Sequence, residues 1–574
     1  MGEATKRWRT VPSDADGTRM LARELGLPPA VAAVLAARGY TDCDDAKRFL
    51  EPRLGDISDP FLMPGMRAAV QRIRQAVDGG ERIVVFGDYD ADGVTSTALL
   101  TGVLGRLGAR VEPFLPSRFS DGYGLTMPAL QRCLREARPD LLVTVDCGTM
   151  SVDAVDHASR QGTDVVVTDH HDVSGRTADA VAVVNPKLHD GSATAALAGV
   201  GVAFKLCHAL VKDGLHDGRE EARRIDLRDW LDVVAAGTVA DVVPLTGENR
   251  ILVRHGLARL NRSPSVGLQA LIREANVSAT LDCYHLGFVI GPRLNAAGRL
   301  GSAERALRLL LATEAGAADE LAAELGSENA RRRRIEQSIR GEAETAILRT
   351  FDAQRTFGLV AAGTDWHAGT IGIVAARLCG LFYRPAIVIS IDADGMGHGS
   401  GRSIEEIDLV EVLGECADLL DRYGGHHMAA GLTLRAANVD AFRERFDACC
   451  RRRLEGADLR PLIEVDGWVR LAELDDGLFD AIRRLHPLGM GNPEPVWGVR
   501  GVQLAGKPRI VGRNHLKMLI ASGATQMDAI AFGMADQPIP DGALDVLFTL
   551  RENVYRGRRT LQMQVKDFRS AAAG

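Results

Sequence analysis

Between residues 82 and 250 the chain alternates short apolar runs with longer amphipathic stretches. The runs RIVVF (82–86), LLVTV (141–145), DVVVT (164–168) and VAVV (181–184) are rich in β-branched residues and too short for helices. They predict strands buried on both faces. Helical patterns follow them, for example over 95–108 and 198–211, and VVPLTGENR (242–250) marks an exit. Such alternation predicts an α/β domain built on a mostly parallel sheet. A second α/β pattern starts near 357, with strands over 357–362 and 386–390 and helices over 367–381 and 408–423. Between the two, residues 303–350 are rich in Ala, Glu, Leu and Arg and poor in Gly and Pro, which predicts long connecting helices. The RRRR of 331–334 lies there, as a solvated helix face or a phosphate-contacting one.

After about 459 the pattern changes to short β-rich runs separated by turn residues: 508–512, 515–521, 527–534, 545–550 and 561–568. These predict a small antiparallel barrel. Residues 1–72 mix Pro, Arg and short helical stretches and read as an appendage. The expected organisation is therefore an N-terminal appendage (1–72), a first α/β domain (73–250), a helical connector (251–350), a second α/β domain (351–458) and a β-barrel domain (459–574).

Length agrees with several domains, since 574 residues exceed one compact unit. With 46% apolar and 25% charged residues, disorder is excluded as the main state. The net charge of −7 excludes a globally basic nucleic-acid coat but not a local basic groove. From 506 to 574 there are ten Lys/Arg against six Asp/Glu, so the predicted barrel is basic inside an acidic chain and is a plausible nucleic-acid platform. Nine scattered cysteines without a C-x-x-C argue against a disulfide scaffold and a structural zinc site, and fit a reducing cytoplasm. MGEATKRWRT lacks the apolar core of a signal peptide, and Lys6 breaks the myristoylation pattern. No run approaches the ~20 apolar residues of a membrane span. The expectation is a cytoplasmic protein with no membrane association.

The chemistry concentrates at predicted strand ends. In FGDYDADGVTSTALL (86–100), Asp88, Asp90 and Asp92 alternate between a strand and a helix. Three carboxylates so close repel one another unless cations intervene, whereas a helix cap needs only one. Alternate residues of an extended chain would project to the same side. Asp146 follows the next strand, and Asp169, His170 and His171 follow the one after. Carboxyl ends of parallel strands open onto one crevice, so these residues are expected to converge. Asp241 ends a helix-like run, an unfavourable place for a carboxylate beside the helix dipole, which suggests a task. Carboxylates with one or two imidazoles suit two divalent cations, Mn2+ or Mg2+, as in a two-metal phosphoryl-transfer centre.

VVFGDYDADGVT, VTVDCGT, TDHHD and GTVADVVPL resemble, in order, the four motifs of the DHH phosphoesterase superfamily. SRFSDGYGL (117–125), IGPRLNAAGRL (290–300), WHAGTIGIVAARL (366–378), GSGRS (399–403), GGHHMAAG (424–431) and PLGMGNPEP (487–495) narrow the resemblance to the RecJ family of bacterial single-strand-specific DNA exonucleases. It extends over nearly the whole chain from about 60 onward. The resemblance implies a DHH catalytic domain, a DHHA1 domain and an OB-fold, with 5′→3′ removal of mononucleotides from single-stranded DNA in recombination and repair. It places Asp90, Asp92, Asp146, His170 and Asp241 as metal ligands and Asp88 in the same cluster, as a ligand or an orienting partner. Asp169 would orient the imidazoles, and His171 would face the scissile phosphate. Arg118 and Tyr123 would contact DNA by charge and stacking, and Asn295 and Arg299 would bind the strand and narrow its path. Two loops, with Ser400, Arg402 and Ser403 in one and Gly424, Gly425 and His426 in the other, would cradle the DNA backbone or the 5′ end. Single-strand-binding protein and a repair helicase are the implied partners, and nothing in the sequence argues against a monomer.

Two positions depart from the family pattern. Phe86 stands where many superfamily members have His, and Gly301–Ser302 follow GRL where an acidic residue is expected. Other classes fit less well. There is no P-loop, and GMGHGSG (395–401) fails the dinucleotide fingerprint at Ser400. A small-nucleotide phosphodiesterase would share the acids but would not need the basic barrel. A DNA-binding scaffold would not need the intact cluster.

Overall fold

The computed structural model describes residues 6–117, 121–122, 124–189, 191–192, 194–555 and 557–571. The chain divides into two compact units, one made of 1–292, 306–319 and 462–574, the other of 293–305 and 320–461. Among the described residues, no helix is long and apolar enough to cross a membrane.

The first unit opens with a short strand, β1 (Arg7–Thr10), and then builds a five-stranded sheet. Its strands are β2 (Arg82–Phe86), β3 (Arg110–Phe114), β4 (Leu141–Val145), β5 (Asp164–Thr168) and β6 (Ala182–Val184). The order is β3-β2-β4-β5-β6 and every pairing is parallel. The β-branched runs form the strands because both faces are covered: Val85, Val143, Val145 and Val166 pack on one side, and Val84, Phe86, Leu142 and Val167 on the other. The strand β3 escapes the periodicity of the sequence. RVEPF places a Glu and a Pro on an edge strand that is largely exposed. The chain leaves β2 in one direction to make β3 and returns on the other side to make β4. The switch point thus lies at the carboxyl ends of β2 and β4, the position where α/β sheets bind ligands.

The second unit has strands β7 (Leu359–Thr364), β8 (Ala386–Ile391), β9 (Met396–Arg402), β10 (Arg422–His426) and β11 (Ala429–Arg435), in the order β10-β11-β9-β8-β7. Only β7 and β8 pair in parallel. Here two expectations fail. The helix expected over 408–423 stops at Gly414, and the segment from Arg422 becomes a strand. The apolar spacing continues past Gly414, but pairing with β11 takes the chain. The GSGRS and GGHHMAAG segments are likewise strands of this sheet rather than loops. The backbone of 396–402 is engaged on both sides, by β8 and by β11, so it offers no free N–H cradle. In the RRRR run three side chains are exposed, while Arg332 turns inward to Asn329 (3.1 Å) and Glu336 (3.3 Å).

The remaining strands return to the first unit: β12 (Leu462–Val465), β13 (Gly467–Trp468), β14 (Trp497–Leu504), β15 (Arg509–Val511), β16 (His515–Ser522), β17 (Thr525–Phe532), β18 (Leu544–Tyr555) and β19 (Arg558–Ser570). Pairings β14-β18-β19-β17-β16, closed by β16 on β14, form a ring of five strands around Trp497, Phe548, Met563 and Ile520. The N-terminal segment is part of this body. Strand β1 pairs in parallel with β12, and Leu21, Val31, Leu35 and Phe49 join the barrel's own core. Residues 7–50 therefore wall the barrel rather than hang from the first α/β sheet.

One buried cation joins these pieces. Arg250, on the helix Gly247–Leu260, lies 3.7 Å from the Phe49 ring centroid. It donates to the carbonyls of Phe49 (2.7 Å), Leu485 (2.9 Å), Pro487 (3.1 Å), Arg484 (3.2 Å) and His486 (2.9 Å). All the N–H groups a guanidinium possesses are used. Replacement by Leu would leave these carbonyls buried without donors. Arg250→Leu should therefore cost on the order of 3 kcal/mol or more of stability in urea unfolding, and a loss below about 1 kcal/mol would contradict this role.

Candidate metal centre and anion face

The turn after β2 is possible only with glycine at two places. A Cβ on Gly87 would lie 1.9 Å from Thr97 Oγ1, and one on Gly93 would lie 2.5 Å from the Asp88 carbonyl oxygen. Asp88 is buried at this turn. Its Oδ1 accepts from the Tyr89 N–H (2.7 Å), and its Oδ2 has no hydrogen-bond partner among the described residues. Asp90 is the N-cap of the helix Ala91–Arg106, its Oδ1 accepting from the N–H groups of Asp92 and Gly93 (3.0 Å each). The extended alternation expected for Asp88, Asp90 and Asp92 is thus wrong. The helix begins at residue 91, so Asp92 already lies in its first turn.

Helical placement aims Asp92 at a second helix. Its Oδ2 accepts from Gly199 N–H (2.7 Å) and its Oδ1 from Val200 N–H (2.8 Å), at the start of the helix Gly199–His216. A helix N-terminus is favourable for a carboxylate. Asp146 follows β4 in a left-handed conformation (φ 61°). Asp241 caps the C-terminus of the helix Leu231–Ala240 and precedes Val242, also left-handed (φ 64°).

These acids meet at His170. Its Nε2 lies 3.1 Å from Asp146 Oδ1, 3.6 Å from Asp241 Oδ2 and 3.8 Å from Asp92 Oδ2. Ligand atoms of Asp92, His170 and Asp241 all fall within 4.8 Å of one another, as do those of Asp146, His170 and His171. Asp146 Oδ1 and His170 Nε2 are nevertheless buried without a hydrogen-bond partner among the described residues. These two orphaned polar atoms, 3.1 Å apart, are ones a divalent cation would satisfy, and Asp88 Oδ2 is a third buried atom left unpartnered. Hard carboxylate oxygens with an imidazole fit Mn2+ or Mg2+.

Electrostatics agree. Burial, reinforced by the neighbouring aspartates, pushes Asp88 up to about 8, Asp92 to about 7 and Asp241 to about 9. Asp146 is raised well above the carboxylate range for the same reasons. Burial lowers His170 to about 4, keeping it neutral as a ligand must be. Asp169 is the exception. Burial opposes its charge, yet the His171 hydrogen bond and charge and the backbone donors hold it well below its ordinary value. Its Oδ1 meets His171 Nδ1 (2.8 Å) and the N–H groups of His170 (2.7 Å) and His171 (3.1 Å), while its Oδ2 accepts from Thr149 N–H (2.9 Å). His171 is raised in turn by Asp169, against the effect of its burial.

Asn185 escaped the sequence reading. It is buried and donates from Nδ2 to Thr149 Oγ1 (3.0 Å) and the His171 carbonyl (3.0 Å), while accepting from Lys187 N–H (2.9 Å). An Asn-Pro pair directly after a predicted strand was its only signal. Gly199 also belongs here, because a Cβ there would lie 2.5 Å from Asp146 Oδ1. Phe86 is core, its ring 5.4 Å from that of Phe114.

The other expected site residues lie elsewhere. Arg118 and Tyr123 fall outside the described residues. Asn295 and Arg299 sit on the helix Gly291–Leu300, with Arg299 Nη1 donating to the Gly369 carbonyl (3.2 Å). In the second unit, register aligns Gly424–Gly431–Ser400 in one row across β10, β11 and β9, and His426–Ala429–Arg402 in the next row on the same face. Glycine and alanine between the polar residues leave a trough. A Cβ on Gly372, at the start of the helix Ile371–Phe382, would lie 2.9 Å from Ser400 Oγ and 3.4 Å from Arg402 Nη2, so that helix's N-terminus abuts the trough. Gly425 faces the other way, and Ser403 does not contribute its hydroxyl. That group is buried and donates to the Ile407 carbonyl (2.8 Å).

Comparison with known proteins gives a consistent picture. Family models match the DHH family N-terminal domain at 82–238, the DHHA1 domain at 355–452 and the RecJ OB domain at 465–567. The chain is 36% identical over 574 residues to the single-stranded-DNA-specific exonuclease RecJ of Bacillus subtilis, covering 98% of this chain and 70% of that one. It is 36% identical over 569 residues to the same enzyme of Escherichia coli, covering 96% and 97%. The crystal structure of Thermus thermophilus RecJ in complex with Mn2+ superposes with a TM-score of 0.84 at 33% identity, covering 99% of this chain and 80% of that one. The Mg2+ complex gives 0.78 at 32% identity, covering 99% and 79%.

The raised acids predict a pH-dependent response to metal. Unfolded, these carboxylates ionise near pH ~4; folded and metal-free, Asp88, Asp92 and Asp241 keep their protons up to about 8, 7 and 9. Their contribution to stability is full below ~4 and lost as pH rises through the folded values. His171, raised, acts with the same sign. The melting temperature of the metal-free protein should fall between pH 6 and 9, and the increase on adding Mn2+ should be larger at pH 8.5 than at pH 6. A Mn2+ shift that shrinks with rising pH would refute this arrangement of acids.

Proposed function

Because this chain belongs to the RecJ family of single-stranded-DNA-specific exonucleases, we propose that it degrades single-stranded DNA from the 5′ end and releases 5′-mononucleotides in recombination and repair. The observation that carries the chemistry is the buried convergence of Asp92, Asp146 and Asp241 on His170, with polar atoms left unpaired around it. Asp90, Asp92, Asp146, His170 and Asp241 would hold two divalent cations, Mn2+ or Mg2+, and Asp88, whose Oδ2 is unpartnered, would join them as a ligand or an orienting partner. Bound there, such cations neutralise the carboxylates and supply the Lewis acidity that phosphodiester hydrolysis needs.

The residues around them do the positioning. Asp169 engages His171 Nδ1, which leaves Nε2 as the ring atom for the scissile phosphate. With its pKa raised, His171 offers a proton at Nε2 to a phosphate oxygen as charge develops there. Asn185 fixes the backbone of His171 from below. Ser400, Arg402, Gly424 and His426 form an anion face for the DNA backbone or the 5′ phosphate, and the N–H groups at the start of the helix Ile371–Phe382 add to it. Gly425 acts there through its backbone. Arg118, Tyr123, Asn295 and Arg299 contact the strand. Single-strand-binding protein and a repair helicase are the proposed partners of a monomeric, cytoplasmic enzyme.

With Mn2+ or Mg2+, 5′-labelled single strands should release label at once as mononucleotide, 3′-labelled ones only late, and duplex DNA should persist. Release from the 3′ end first would overturn the polarity. Asp146→Asn and His170→Ala should lower turnover roughly 10²–10⁴-fold while binding of single-stranded DNA changes little. Equal losses in binding and turnover would remove them from the catalytic centre. Arg299→Ala should weaken binding and lower the slope of log affinity against log salt by about 1. An unchanged slope would take Arg299 off the DNA.

A further inference from the structure

Four of the large apolar side chains that the first unit leaves most exposed meet in one cleft. Val242, Tyr284, Phe288 and Met490 are 59%, 62%, 65% and 54% exposed. All four line a cavity of about 400 Å³. A single exposed apolar residue needs no explanation, but a concave cluster of this volume has the dimensions of a ligand site.

The rings have an unusual setting. Tyr284 and Phe288 stand one helical turn apart and stack with centroids 5.2 Å apart and planes 28° apart. They lie where residues 286–290 form a π-helix running into the helix Gly291–Leu300. Such widenings are rare and lie frequently at functional sites. The cleft's floor is the turn that carries Asp241. Val239, Ala240, Val242 and Val243 line it, flanking that carboxylate on both sides. The left-handed conformation of Val242 is costly for a β-branched residue. It lets one turn do two things, since Asp241 reaches His170 (3.6 Å) while Val242 stays exposed in the cleft. The charged and imidazole groups of the lining are Asp282, which is engaged by His285 (2.7 Å), and the wall of Arg551, Glu494 and His486. Arg551 pairs with Glu494 (2.9 Å), and His486 is held neutral by burial.

We infer that this cleft is a nucleobase subsite, in which one base of the strand being degraded stacks on the Tyr284–Phe288 pair with its polar edge toward Arg551, Glu494 and His486. The inference rests on the reading of the chain as a single-strand exonuclease and adds where that enzyme grips a base. A base fits better than a peptide for two reasons. The two near-parallel rings offer a flat face, and the lining includes the residues on both sides of Asp241, Ala240 and Val242. Stacking of this kind accepts any base, because every base has a π face.

The test uses the full-length protein with Ca2+ in place of Mn2+ to hold the DNA, and oligothymidylates carrying a single 2-aminopurine moved one nucleotide at a time from the 5′ end. At one position the fluorescence should be quenched. Tyr284→Ala/Phe288→Ala should abolish that quenching and, with Mn2+, raise KM on the order of 10- to 100-fold. An abasic nucleotide at the same position should raise the wild-type KM similarly. The rise in melting temperature on Mn2+ binding should stay as in wild type, which checks that the double variant is folded with its metal site intact. Tyr284→Trp should retain the quenching and Tyr284→Leu should lose it. If Leu serves as well as an aromatic ring, or if the double variant keeps its KM and its quenching while wild type degrades the same strands, the subsite is wrong and the patch serves a protein partner instead. If wild type neither binds nor degrades single strands, the exonuclease reading falls first and takes the subsite with it.

Discussion

Mutual repulsion among buried carboxylates is the constraint on which this molecule is organised. Asp92 and Asp146, both buried, and the partly buried Asp241 surround one neutral imidazole, with Asp88 buried on the turn that leads to them. Two unit charges 4 Å apart oppose each other by about 4 kcal/mol at the effective dielectric of a protein. The fold meets this by holding the groups with elements too rigid to splay. The sheet aligns the ends of β2, β4 and β5, the helix Gly199–His216 turns its N-terminus to Asp92, and Asp146 and Val242 accept left-handed backbones. The metal-free site therefore holds protons that a divalent cation would displace. That readiness is what makes a set of aspartates a hydrolytic centre.

Small, dense supports make this geometry reproducible. Asn185 and Asp169 tie the His170–His171 turn to the Thr149 turn beside it. Gly199 lets a helix touch Asp146, which no side chain would allow. At longer range Lys205, fully buried, binds Glu248 (3.0 Å) and the Ser58 carbonyl (2.7 Å), and Arg250 fastens the same helix to Phe49 and the segment before the barrel. Neither cation contacts the acids around His170. Each fixes the helix Gly247–Leu260, which follows the turn bearing Asp241, and so the first unit's sheet and its barrel behave as one body.

The two units carry different sets of polar side chains. The first holds the acids and the aromatic cleft beside Asp241. The second presents Ser400, Arg402 and His426 on one sheet face, with glycine and alanine rather than bulky side chains between them. Charge is local in both cases, which reconciles an acidic chain with a polyanionic substrate.

Local pattern in the sequence was enough for the parallel sheet, the connector helices, the basic barrel and the placing of Asp88, Asp146 and Asp169–His171 at strand ends, because β-branched runs and carboxylate spacing are properties of neighbouring residues. The helix-dipole anomaly at Asp241 was legible for the same reason. Other features depended on partners far away in the chain. RVEPF became a strand only because β2 offered it an edge, and 408–423 lost its helix to pairing with β11. The backbone of the GSGRS segment pairs with two neighbouring strands, so only its side chains are left to face outward from the sheet. Residues 7–50 had no signature of the barrel core they complete, since each of their short helices is too small to show which face will be covered. Asp90 proved to be a cap and Asp92 a residue of the helix, a one-residue matter of where the helix starts that spacing alone does not resolve. Which oxygen meets the imidazole, and which atoms remain unpaired around it, was decided only when strand ends dozens of residues apart were brought to the same edge of one sheet.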